Sequence, residues 1–162
     1  MDTLLKNQKA VRTFMREFNQ IDGTPLDLDN LSAKDVKNIK LRLTLTLEKT
    51  QELFSSFLDK NTYSFHIEPF FSLLKNRINS MTEDNLEINR EEIAHYLADL
   101  LYINYGSAEL LDIPLQECFE EVHKTNMAKL INFTGNPIYR EDGKLLYDAS
   151  YTHPNISSII NR

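Results

Sequence analysis

The stretch SAKDVKNIKLRLTLTLEKTQELFSSFLD, residues 32–59, decides the fold. Its centre, Leu41–Leu47 (LRLTLTL), alternates apolar and polar residues, the period of a half-buried strand. The flanks point the other way. No glycine or proline interrupts Ala33–Asp59, and such a run is far longer than a strand of about 5–6 residues. Ser32 with Asp35 three positions on makes an S-x-x-D capping signal. The expectation is one long helix from Ser32 toward Asp59.

Working outward, Leu4, Val11, Phe14, Met15 and Phe18 form one apolar face of a helix over about residues 3–18. The loop IDGTPLDLDN, with Gly23 and Pro25, separates it from the second helix. A third helix is expected to begin near Pro69, a residue suited to a first turn, and to end near Met81. The fourth opens on Asn89 with Glu92 and carries Ile93, Leu97, Leu100, Leu101, Ala108 and Leu111 at helical spacing. The fifth starts at Pro114 and carries Leu115, Cys118, Phe119, Val122 and Leu130. Gly135, Pro137, the Asp142–Gly143 turn signal and Pro154 mark residues 133–162 as a loop-rich tail. The expected fold is all-α: one domain over residues 1–162, a bundle of about five helices with an irregular C-terminal tail.

The composition narrows the function. Of 162 residues, 41% are hydrophobic and 26% charged, the balance of a globular chain rather than a disordered one. A single cysteine, Cys118, excludes an internal disulfide framework and suits a reducing compartment. No apolar run approaches the ~20 residues that cross a bilayer, and no signal-peptide core opens the chain. A soluble cytoplasmic protein without membrane association is expected. The net charge of −6 is unevenly placed. Residues 83–121 hold eleven acids and one base, so the remainder is net positive. That division does not suit a nucleic-acid polymer, which needs a continuous basic face. It suits a solvated acidic face or a divalent-cation site.

Glu48 and Glu52 are four residues apart, hence within about 40° of each other on the second helix. Glu92, His95 and Asp99 fall within about 60° on the fourth, beside its apolar stripe. Antiparallel packing of these two helices would bring four carboxylates and an imidazole together. Such a group is either a set of solvated surface acids or, if buried, one that needs a hard cation such as Mg²⁺ or Mn²⁺. The pairs Glu92–His95 and Glu120–His123 also spell Glu-x-x-His twice, the pattern of di-iron bundles. In that reading Glu48 or Glu52 supplies one lone carboxylate and Glu17 or Glu68 the other. Acidic neighbours leave Cys118 unactivated, which makes it a core residue.

The runs EIAHYLADLLYINYGSAELLDIPLQECFEEVHKTNMAKL (92–130) and DGKLLYDASYTHPNI (142–156), with RLTLTLEKTQEL (42–53) upstream, resemble the MazG-like, phosphoribosyl-ATP pyrophosphohydrolase-like all-α NTP pyrophosphohydrolases. The resemblance implies cleavage of a nucleoside triphosphate between its α- and β-phosphates, dependent on Mg²⁺ or on Mn²⁺ in its place, releasing a monophosphate and pyrophosphate, by a homodimer. By motif position it implies Glu48, Glu52, Glu92 and Asp99 as metal ligands and catalytic acids. It also implies Asn126, Lys129 and Lys144 as substrate-binding groups, in the segments E-V-H-x-x-N-x-x-K (with His123) and D-G-K. Lysines suit phosphate oxygens and an asparagine suits a base or ribose edge; Lys129 could equally compensate a helix C-terminus. Two positions depart from the family pattern. Lys49 replaces the usual second Glu, and His95 replaces the usual Asp of E-x-x-D. Either Lys49 and His95 take over contacts to substrate in an altered enzyme, or hydrolysis is lost and a nucleotide-binding or interaction protein remains.

Overall fold

The computed structural model describes residues 2–24, 26–28, 30–131, 139–141, 143–146 and 151–162, without the side chains of 2–5 and 129–131. The described helices are α1 (Asp2–Glu17), α2 (Ala33–Phe57), α3 (Lys60–Thr62), α4 (Glu68–Ser80), α5 (Arg90–Leu110), α6 (Leu115–Ile131) and α7 (Ser157–Ile160). The fold is all-α, and the five long helices fall where the sequence places them. The chain clusters into two compact units. One contains Pro25–Glu87 and Tyr139–Lys144; the other contains Met1–Thr24, Ile88–Ile138 and Leu145–Arg162.

In the Pro25–Glu87 unit, α2 settles the ambiguity of LRLTLTL. Leu41 and Thr44 are buried while Leu43 is exposed, so burial follows a spacing of three and four rather than two. Ser32 caps the helix: its hydroxyl accepts from Asp35 N–H at 3.2 Å, and the Asp35 carboxylate accepts from Ser32 N–H at 3.0 Å. Ser32→Ala is expected to cost about 1 kcal/mol of stability, read as a shift in the urea midpoint. α2 packs on α4, with the Phe54 and Phe71 rings 5.8 Å apart. Lys40 donates to the carbonyls of Asn79 and Met81 at 2.7 and 2.9 Å, tying α2 to the C-terminal end of α4.

The end of α2 differs from expectation. The helix stops at Phe57, and Asp59 instead caps α3, accepting from the Asn61 and Thr62 amides. A widened i→i+5 turn over Tyr63–Ile67 then leads into α4, with Glu68 N–H donating to Tyr63 C=O. Pro69 is therefore the second residue of α4 but lies well inside a helical path that began at Lys60, next to the widened turn, where its missing N–H is tolerated.

In the other unit, α1 packs on α6. Lys6 Nζ lies 3.1 Å from Glu120, and Asn7 donates to Gln116 at 2.8 Å. Phe18, fully buried, packs its ring 4.6 Å from that of Phe14 at a tilt of 48°. Asn19 closes α1 in the left-handed conformation (φ 52°), which lets Gln20 N–H reach Met15 C=O. Asn89 caps α5 by accepting from the Glu91 and Glu92 amides at 3.1 and 3.2 Å. Cys118 is buried, as the sequence suggests. The tail holds the short helix α7, and Arg162 bonds Glu117 on α6 at 2.8 Å.

Candidate functional site

Glu48 lies seven residues after Leu41, so it shares the buried face of α2. Its side chain is 11% exposed. A carboxylate placed there must be compensated. Three cations do so. Lys75 Nζ from α4 lies 3.0 Å from Oε1, Arg140 Nη2 lies 3.1 Å from the same oxygen, and Lys144 Nζ bonds Oε2. Burial alone would raise the pKa of Glu48, but the three donors outweigh it and hold the carboxyl at about 2.

Arg140 and Lys144 reach Glu48 from a tight turn. Arg140 N–H donates to Lys144 C=O at 2.7 Å, and Gly143 N–H to Arg140 C=O at 2.8 Å. Gly143 has φ 91°, a conformation that favours glycine. A methyl group at Gly143 would lie 3.6 Å from both Leu41 Cδ2 and Lys37 Cε, which seats the turn on α2. Lys75 and Arg140 also line an adjoining cleft of about 870 Å³, together with Lys37, Lys40, Thr44 and Asn79. That size accommodates a nucleotide-sized ligand.

The structure thus brings together Glu48 and Lys144, two sequence-predicted residues 96 positions apart. It adds Arg140 and Lys75, which sequence reasoning missed. Arg140 sits four residues before Lys144 across the Asp142–Gly143 turn signal, the one hint that the sequence holds. Glu52 is exposed and paired with Lys49 Nζ at 2.7 Å. On α5, Glu92 is exposed in the first turn, and His95 Nε2 lies 3.3 Å from Asp99 Oδ2, both exposed. On α6, Asn126 is half-buried, and His123 stacks on Phe119 at 6.1 Å. The side chain of Lys129 lies outside the described residues. Among the di-iron candidates, Glu120 is held by Lys6 and Gln116, and Glu17 and Glu68 are exposed.

The family model of phosphoribosyl-ATP pyrophosphohydrolase matches residues 11–126, most of the chain. The chain belongs to this family. Its fold is similar to that of a solved candidate NTP pyrophosphohydrolase from Exiguobacterium sp. 255-15, with a TM-score of 0.61 and 24% identity over 96% of this chain and 94% of that one. Among curated proteins, none matches. No described helix is long and apolar enough to cross a membrane.

The family resemblance of the sequence implies a divalent ion, and the residues meet that demand unevenly. Glu48, Glu52, Glu92 and Asp99 offer oxygen alone, the donor chemistry of a hard divalent cation. Among the described residues, however, no three His, Cys, Asp or Glu side chains stand together as a metal site. Both oxygens of Glu48 are engaged by cations. Around Glu48 the local charge favours an anion.

Proposed function

We propose that this chain is a nucleoside triphosphate pyrophosphohydrolase that depends on Mg²⁺, for which Mn²⁺ substitutes. Water attacks in line at phosphorus, the bond between the α- and β-phosphates breaks, and a nucleoside monophosphate and pyrophosphate leave. The observation that carries this reading is the meeting of Glu48 with Lys144, Arg140 and Lys75 beside a basic cleft. Cations clustered in this way, in a member of this family, suit phosphate oxygens. The proposed metal ligands are Glu48, Glu52, Glu92 and Asp99. The ion would neutralise phosphate charge and polarise the reacting phosphorus. Lys144, Lys129 and Arg140 bind and orient the phosphate chain, and Asn126 is the proposed contact to the base or ribose. Incubation with a panel of NTPs and dNTPs is expected to release pyrophosphate with Mg²⁺ and none with excess EDTA. Binding without release would sink the enzymatic reading.

Lys49 and His95 favour a second reading. Each stands where the family pattern has an acid, and each lies against a carboxylate, Glu52 or Asp99. In that reading the fold binds nucleotide without hydrolysing it. Restoring the acids together, Lys49→Glu with His95→Asp, is the discriminating variant. Hydrolysis gained by it and absent from the parent would establish the second reading.

We also propose a homodimer. On α5, Ile93, Leu97, Leu100 and Ile103 are 45–62% exposed, and Tyr102 and Leu110 exceed 80%. An apolar run of this kind marks an interaction surface. Sedimentation equilibrium is expected to give twice the 18.9 kDa chain mass, and Leu100→Glu with Ile103→Glu to give a single chain. A wild-type monomer at all concentrations would contradict it.

A further inference from the structure

From Arg90 to Leu100 every residue of α5 is exposed, and Ala108 is the one buried residue of the whole helix. Ile93, Tyr96, Leu97 and Leu100 are among those left in water, at 45–62% exposure. A helix bare on all sides gains nothing from packing and is marginal by itself, so its cover comes from another chain. Glu92, Tyr96, Asp99 and Ile103 fall within about 60° of one another on α5, which sets two proposed metal ligands in a stripe with apolar neighbours.

The end of α2 is bare in the same way. All six residues of Glu52–Phe57 are exposed, and Leu53, Phe54 and Phe57 are 44–60% so. The two helices are opposite in charge: α5 holds four acids and one base, α2 five bases and three acids. Beside Glu48 stand Lys75, Arg140 and Lys144, a basic setting that attracts further carboxylates.

We propose that a second copy of this chain completes the metal site. α5 of one protomer lies along the Glu48–Phe57 half of α2 in the other and brings its Glu92 and Asp99 to Glu48 and Glu52. A two-fold dimer then has two such sites, each with two ligands from either protomer. The arriving carboxylates share the donors that hold both Glu48 oxygens in the single chain, and so release those oxygens to the ion. No covalent step is involved. The proposal rests on the reading of these four acids as metal ligands and adds that they come from two chains.

Mixed dimers separate this arrangement from one in which each chain supplies all four ligands. Glu48→Gln and Asp99→Asn chains with different affinity tags are co-expressed, and the mixed dimer is isolated. In calorimetry without nucleotide, each variant alone is expected to bind Mn²⁺ about tenfold more weakly than wild type, the worth of one charge-assisted contact. In the mixed dimer one site receives both substitutions and the other neither. It is therefore expected to bind about half the Mn²⁺ of wild type at wild-type affinity, and to release pyrophosphate at about half the wild-type rate. A mixed dimer as weak for Mn²⁺ as its parents, beside a wild type that binds Mn²⁺ and hydrolyses nucleotide, would overturn the proposal and leave the proposed function intact. Recovered Mn²⁺ binding in a protein that releases no pyrophosphate would uphold the shared site and remove the enzymatic reading. A wild type that binds no Mn²⁺ would overturn both. Should Glu48→Gln fail to fold, Glu52→Gln takes its place with the same outcomes, because Glu52 is exposed and paired with Lys49 at the surface.

Discussion

Lys144→Met is expected to lower kcat/KM for a nucleoside triphosphate about 10²–10³-fold, the usual cost of removing one preorganised donor to a developing phosphoryl charge. That is about 3–4 kcal/mol of transition-state stabilisation. The reason lies in how the residue is held. Its backbone is fixed by the Arg140–Lys144 turn, and its ammonium is drawn onto Glu48 before any substrate arrives. Little rotamer entropy remains to be lost when it passes to a phosphate. Glu48 keeps Lys75 and Arg140 in the variant, so the fold should survive. Lys144→Arg retains charge but not geometry, and partial recovery is expected from it. Steady-state kinetics with matched thermal melts checks both, and a loss below threefold in Lys144→Met would remove Lys144 from substrate binding.

The second large effect is on stability against acid. The Glu48 carboxyl sits at about 2 in the fold against an ordinary 4.5. A depressed carboxylate stabilises the native state fully above its unfolded pKa, and that contribution disappears as pH falls through the folded one. The window therefore runs from about pH 5 down to about pH 2, and the shift corresponds to ~3 kcal/mol across it. Urea titrations of wild type and Glu48→Gln at a series of pH values isolate this group, because other carboxylates cancel in the difference. Wild type is expected to lose about 3 kcal/mol more than the variant over that window. Parallel pH profiles would mean that the three cations do not hold Glu48 as described.

The helices were legible because their signals are local. Ser32 and Asn89 act as caps, and the buried face of α2 repeats at helical spacing through Leu41 and Thr44. Leu41–Leu47 reads as a strand only because leucines also occupy positions, such as Leu43, that the helix leaves exposed. The helical path through Lys60–Ile67 was hidden: in KNTYSFHI the apolar residues Tyr63, Phe65 and Ile67 alternate at a spacing of two rather than at helical spacing, and Pro69 imitates a start. At the site, motif position drew attention to Glu48 and Lys144. Arg140 and Lys75 were not legible, because their pairing with Glu48 spans 92 and 27 residues and depends on how a turn and α4 pack against α2. Nor did spacing reveal that Glu48 would be caged by cations, since helical geometry places carboxylates on a face without saying what that face meets.

Phosphorus-31 NMR of a nucleoside triphosphate incubated with the protein and Mg²⁺ tests the pyrophosphohydrolase reading most directly, because it identifies the bond that breaks. The expected spectrum shows a nucleoside monophosphate and pyrophosphate growing in equal amounts as the triphosphate disappears. Orthophosphate with a nucleoside diphosphate, or a triphosphate that persists unchanged, would contradict it.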